Sequence, residues 1–326
     1  MNSSLPTQDP AAFFSAVYEA VRGNVERAIT GKPAAVKLAL TCLFAGGHLL
    51  VEDVPGVGKT TLAKAIAASI DATWHRIQFT PDLLPSDITG TSVYDQASGA
   101  FEFRPGPVFG HLVLADEINR ASPKTQSALL EVMEERQVTV DGTPHAVPAP
   151  FLVMATQNPI DLEGTYALPE AQLDRFLLRI AVGYPSLEAE TSILTGRAAA
   201  GAPPSLSTVA SLDHIRWMVS YTSKIHVAEP VASYVASIAH ATRGHASLRL
   251  GASPRGSLAL VRVAQSWAAA DGRAFVTPDD IKAVAEPVLA HRLLVDPEAE
   301  IRGVRSSEIL TDVLRTVSVP AGAAVS

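Results

Sequence analysis

Apolar residues recur at helical spacing over residues 11–28, where Phe14, Val17, Tyr18 and Val21 share one face and predict an amphipathic helix. The period then changes. Four short apolar runs, at residues 48–52, 74–79, 112–115 and 151–155, look like buried strands separated by helical segments. That alternation predicts an α/β unit whose parallel sheet is covered by helices on both faces. Beyond Tyr184-Pro185 the apolar pattern is helical only, over residues 208–224, 229–242, 254–270 and 278–293. Leu260, Val263, Ala264 and Trp267 match the i, i+3, i+4, i+7 template. Thr277-Pro278-Asp279-Asp280 is a helix start, with a capping hydroxyl, a first-turn proline and acids at the positive end of the dipole. The small-residue, proline-rich stretch 198–207 reads as a loop, residues 319–326 as a frayed end, and no repeat of 20–50 residues is visible. The expected organisation is an α/β unit over residues 1–185 and a smaller all-α unit over 186–326.

Length agrees with that division, since 326 residues at roughly 150 per domain suggest two domains. The 26 basic side chains against 33 acidic ones leave a net charge of −7, which argues against an electrostatic nucleic-acid binder. Charged residues make up 18% of the chain, below the roughly 25% of an average soluble protein, and mean hydropathy is +0.19. A membrane span is one way to read that. However, the most apolar stretch, 33–51, is broken by Lys37, by His48 and by the Gly46-Gly47 pair, and a span needs about 20 mostly apolar residues. A large oligomer interface is the other reading, beside an alanine-rich helical composition. Cys42 is the single cysteine, so neither an intrachain disulfide nor a multi-cysteine zinc site can form. With a polar start that lacks a secretory pattern, this predicts a cytoplasmic protein.

Chemistry enters just after the first predicted strand, at Asp53-Val54-Pro55-Gly56-Val57-Gly58-Lys59-Thr60-Thr61. A turn of this kind, leading into a helix N-terminus, turns backbone N–H groups toward phosphate oxygens. Lys59 would reach the β- and γ-phosphates and Thr60 would place its hydroxyl on Mg²⁺. Asp53 stands where the pattern GxxxxGK[ST] has glycine, and its carboxylate either repels phosphate or points away. The run 112–115 ends in Asp116-Glu117, suited to holding Mg²⁺ and polarising the attacking water, although apolar strands often end in acids. Asn158, after the fourth strand, is either a γ-phosphate and water sensor or a turn residue before Pro159. Arg175 closes a helix-like segment and Arg255 opens a helix capped by Ser253 with Pro254 behind it. Each arginine suits phosphate oxygens, and each also suits a surface salt bridge.

The strings VEDVPGVGKTTLAKAIA (51–67), LADEINRASPKTQSALLEVMEE (114–135), ATQNP (155–159) and LPEAQLDRFLLR (168–179) resemble the MoxR family of AAA+ ATPases. The resemblance covers about residues 20–310 and tolerates Asp at position 53. It implies an AAA+ P-loop core followed by a helical lid, hydrolysing ATP with Mg²⁺ in a homo-oligomeric ring, commonly a hexamer. It further implies phosphate binding by residues 55–61, metal binding by Thr60 and Asp116, and catalysis by Glu117, Asn158 as sensor 1, Arg175 as arginine finger and Arg255 as sensor 2. Arg120 and Arg179 are alternative fingers, and Ile29, Thr30 and Gly31 would line the adenine pocket. Segments 89–108 and 137–147 read as two inserted hairpins, with turns at Ser98-Gly99 and Asp141-Gly142, either facing substrate or serving as loop decorations. The leading expectation is a remodelling chaperone acting on a protein client with a von Willebrand factor A domain partner, in metalloenzyme or complex maturation. The motor of a metal chelatase is the alternative. A DNA-processing or transcription-activating AAA+ protein is a third reading, opposed by the acidic balance and by the absence of an activator loop and of an added helix-turn-helix domain.

Overall fold

The computed structural model describes residues 9–158, 165–200 and 206–320. The loop stretch 198–207 and Pro159 therefore lie partly or wholly outside the described residues. The chain opens with α1 (Pro10–Ala28), whose N-terminus is capped by the Asp9 carboxylate accepting from the N–H groups of Ala11 and Ala12, and α2 (Pro33–Phe44). Then come β1 (Leu49–Glu52), α3 (Lys59–Ser69), β2 (Trp74–Gln78) and α4 (Pro85–Thr89). A hairpin of β3 (Gly90–Asp95) and β4 (Ala100–Pro105) leads to β5 (Leu112–Asp116) and α5 (Pro123–Glu135). A second hairpin, β6 (Gln137–Val140) and β7 (Thr143–Ala146), precedes β8 (Leu152–Gln157), α6 (Glu170–Leu173) and β9 (Leu178–Ile180).

Five of these strands form one parallel sheet in the order β2-β5-β8-β1-β9. Alternation along the central strands explains why their runs are almost continuously apolar, whereas β2, expected to be buried, is an edge strand that exposes His75, Arg76 and Gln78. Leu49, Val51, Leu114 and Met154 enter the core with α1, α2 and α3, while Leu50, Val113, Ala115 and Val153 enter a second core with α5. The two predicted hairpins are present with the turns expected from their sequence. Asp141 and Gly142 have φ of 50° and 78°, the paired left-handed conformation of a tight hairpin turn.

The C-terminal unit follows as α7 (Leu187–Ala200), α8 (Leu212–Thr222), α9 (Glu229–Arg243), β10 (Leu248–Leu250), α10 (Pro254–Ala270), α11 (Pro278–Leu289), β11 (Leu294–Val295), α12 (Pro297–Ile301) and α13 (Ser306–Thr316). The four predicted helices correspond to α8–α11. Thr277 caps α11 by accepting from the Asp280 N–H, and the Asp280 carboxylate accepts from Thr277 N–H in return. One addition departs from a purely helical reading: β10 and β11 pair as a short antiparallel ribbon. The lid is not a separate body. Leu260, Val263 and Ala264 of α10 share a single hydrophobic core with Phe14, Tyr18 and Phe44 of α1 and α2. Among the described residues, no helix is long and apolar enough to cross a membrane.

Candidate nucleotide site

The parallel order makes the C-terminal ends of β5, β8 and β1 neighbours, and the phosphate loop, the acidic pair and Asn158 leave the sheet there. The loop 53–58 continues β1 into α3. Gly56 and Gly58 have φ of 86° and 102°, and a Cβ at either would meet nothing within 4 Å, so the loop surface is open to a ligand. Gly58 gives α3 no side-chain cap, which leaves its first N–H groups facing that opening. Lys59 folds back and donates to the Asp53 carbonyl at 2.7 Å. Partial burial lowers its pKa, opposed by the nearby charges of Asp53, Asp116 and Glu117. These features fit a nucleotide's phosphates.

Asp53 does not face that opening. Its Oδ1 accepts from Val54 N–H at 2.8 Å and its Oδ2 from Gly183 N–H, so the carboxylate ties the loop to the segment leading into the lid. Lys32 donates to the next carbonyl, that of Tyr184, and a Cβ on Gly31 would come within 2.7 Å of the Ala189 side chain. The proposed adenine residues Ile29, Thr30 and Gly31 therefore lie where α1, the phosphate loop's tether and the start of α7 converge.

Asp116 and Glu117 end β5. Asp116 Oδ1 accepts from the Thr156 hydroxyl at 2.6 Å, and its Oδ2 accepts from Arg76 Nη2 at 2.7 Å and Nε at 3.0 Å. Glu117 turns out of the strand with φ 57°. Its Oε2 accepts from Gln78 Nε2 and Arg120 Nη1, both at 2.9 Å, while its N–H donates to Thr156 Oγ1 at 2.9 Å. Asn158 follows at the end of β8, between the acidic pair and the phosphate loop.

The three candidate fingers separate by position. Arg120 pairs with Glu117, and Arg179 pairs with Glu52 at 3.0 Å, so both lie at the end of the sheet that carries the phosphate loop. Arg175 lies at the other end, just before β9. It donates to the Leu130 carbonyl and pairs with Glu134, both at 2.8 Å. Arg255, the residue in the sensor 2 position, is also at that far end. It pairs with the other oxygen of Glu134 at 2.6 Å. The four-residue strand β1 alone separates the two ends by about 13 Å. Ser253 caps α10 as expected, by accepting from Gly256 N–H, but the helix aims Arg255 at Glu134 and not at residues 53–60.

With this geometry in hand, the comparisons with known proteins are specific. Residues 48–178 match the ATPase family associated with various cellular activities (AAA), and residues 240–313 match an AAA lid domain. Chaperone MoxR1 of Mycobacterium tuberculosis is 42% identical over 91% of this chain and 81% of its own length. The chain belongs to the MoxR family of AAA+ ATPases. Bacillus subtilis YeaC is 47% identical over 91% of this MoxR-family chain and 93% of its own. A crystal structure of a candidate ATPase from Cytophaga hutchinsonii superposes with a TM-score of 0.89, at 38% identity, covering 95% of this chain and 97% of that one.

Within this MoxR-family ATPase, Thr156, Arg76, Gln78 and Glu134 contact the candidate site residues, and motif reasoning missed them. Arg76 and Gln78 alternate on the edge strand β2, whose register sets Gln78 beside Asp116. A polar i, i+2 pair inside an apolar run was the one signal available for them. Glu134 had none, being one acid among several at the end of α5.

Proposed function

We propose that this MoxR-type ATPase is a remodelling chaperone that works as a homo-oligomeric ring, with each nucleotide held by one subunit and completed by arginines of the next. The observation that carries the reading is the position of Arg175 and Arg255 at the end of the sheet opposite their own phosphate loop, with cationic forks suited to another subunit's γ-phosphate. Residues 55–61 would wrap the ATP phosphates, with Lys59 at the β- and γ-phosphates. Thr60 and Asp116 would hold Mg²⁺, which when bound supplies charge neutralisation on the phosphate oxygens. Glu117 would accept the proton of the attacking water and Asn158 would orient that water. The fixed donors around the two acids serve this chemistry, because Thr156 holds Asp116 and the Glu117 backbone on one hydroxyl. A protein client is supported by the relative named Chaperone MoxR1 and by the net charge of −7, and a hexamer, a cytoplasmic location and a von Willebrand factor A domain partner complete the proposal.

Subunit mixing tests it. Lys59→Ala subunits carry an intact Arg175, and Arg175→Ala subunits carry an intact phosphate loop. Each alone should be nearly inactive, and the mixture should recover ATPase activity, since a trans arginine is worth about 10³–10⁵ in turnover. Absence of recovery at any ratio overturns the shared site.

A further inference from the structure

Glu134 stands in the last turn of α5 and divides its carboxylate between two domains: Oε2 to Arg175 of the core at 2.8 Å, Oε1 to Arg255 of the lid at 2.6 Å. We infer that Glu134 is a positioning residue that holds Arg175 and Arg255 side by side as one paired-guanidinium receptor for the γ-phosphate of the adjacent subunit's nucleotide. The inference rests on the shared-site reading above and adds a component to it.

The physical need is clear from the charges. Two guanidiniums brought to one spot repel each other, and Arg255, the more exposed of the two, has a flexible side chain to immobilise. A carboxylate between them offsets the repulsion and fixes both forks before any phosphate arrives, so less reorganisation is left for the reaction itself. Glu134 is itself placed by buried neighbours: Met133 packs in the core, and the Leu130 carbonyl one turn back holds Arg175 a second time. One anion does not spoil the receptor. Arg136, Arg262 and Arg292 line the same cleft with Arg175 and Arg255, so five arginines face two carboxylates, Glu134 and Asp174, and the cleft stays cationic. Because Arg255 belongs to the lid and Glu134 to the core, the bridge also makes the receptor depend on lid position.

The test places the change in a subunit that donates arginines and reads its effect in another. Donor subunits carry Glu117→Gln, which silences their own site, with or without Glu134→Ala; recipient subunits carry Arg175→Ala. The plain donor should restore recipient turnover. The Glu134→Ala donor should restore roughly ten- to a hundred-fold less kcat, with KM for ATP within about twofold, at unchanged ring size by light scattering. Glu134→Gln keeps the side-chain volume and one acceptor oxygen, so it should fall between, and it serves if the alanine variant does not fold. In a donor that also carries Arg255→Ala, removing Glu134 should cost much less. Failure of the plain donor overturns the shared site. Full rescue by a working Glu134→Ala donor, or an equal loss in the Arg255→Ala background, overturns the role of Glu134 while leaving the shared site standing.

Discussion

Thr156 donates its hydroxyl hydrogen to Asp116 Oδ1 at 2.6 Å and accepts from the Glu117 N–H at 2.9 Å, so one buried side chain on β8 fixes both acids that end β5. The cross-strand link holds a phosphate-end geometry that would otherwise depend on a residue with left-handed backbone, Glu117. Thr156→Val removes the hydroxyl at nearly constant volume and leaves a buried carboxylate oxygen and a backbone N–H without their partner. A loss of about 1–3 kcal/mol in denaturant unfolding is expected, with a fall in kcat larger than any rise in KM for ATP. Unchanged stability and turnover would remove Thr156 from the site.

Glu117→Gln keeps the backbone and the side-chain volume but removes the carboxylate that would take a proton from water. Phosphate release should fall roughly 10²-fold or more, while a fluorescent ATP analogue still binds. Retained turnover would assign the base to another group.

The centre of the sheet was readable because β1, β5 and β8 are buried on both faces and so are apolar along most of their length. The hairpin turns were readable because Asp-Gly and Ser-Gly carry their own backbone chemistry. The phosphate loop and acidic pair were readable because each is one contiguous string after a strand. What stayed hidden depends on contacts across long sequence separations. Arg76 meets Asp116 forty residues away, Thr156 does so from a third strand, and Glu134 meets Arg255 from another domain. Arg255 shows the limit most clearly: its capping residues fixed where α10 begins, whereas packing of the lid on α1 and α2 decides which end of the sheet it reaches.

Two buried histidines make stability depend on pH. His48 Nε2 donates to the Met133 carbonyl while its Nδ1 accepts from Val153 N–H, and His291 Nε2 donates to the Phe176 carbonyl. Burial, reinforced by Arg136 for His48 and by Arg292 for His291, pushes both well below the ordinary histidine value, so both are neutral when folded. The unfolded chain takes up these protons below about pH 6.5, so the stabilisation is full above that value and is lost as pH falls. Between about pH 7.5 and 5.5 the unfolding free energy should therefore fall, with a share of the slope from each histidine. His291→Gln, which can still donate to Phe176, should remove that share of the slope in urea titrations; an unchanged slope would contradict the assignment.

Arg292 reaches from the lid into the loop that carries Arg175. Its Nε pairs with Asp174 at 2.7 Å, its Nη2 donates to the Phe176 carbonyl at 2.7 Å, and its Nη1 donates to the Val288 carbonyl at the end of α11. The Arg292 side chain is 4% exposed and that of Asp174 20%, so this is a desolvated pair and not a surface one. Removing one partner of such a pair strands the other, at a cost of about 3–5 kcal/mol. Arg292→Ala should therefore unfold at much lower denaturant, by about 3 kcal/mol. Arg292→Lys keeps the charge but cannot fork between Asp174 and Phe176, so most of that stability should still be missing. Because residues 174–177 set where Arg175 projects, a donor subunit with Arg292→Lys should also restore less turnover to Arg175→Ala recipients than an unchanged donor. Full rescue with lowered stability would confine Arg292 to the core.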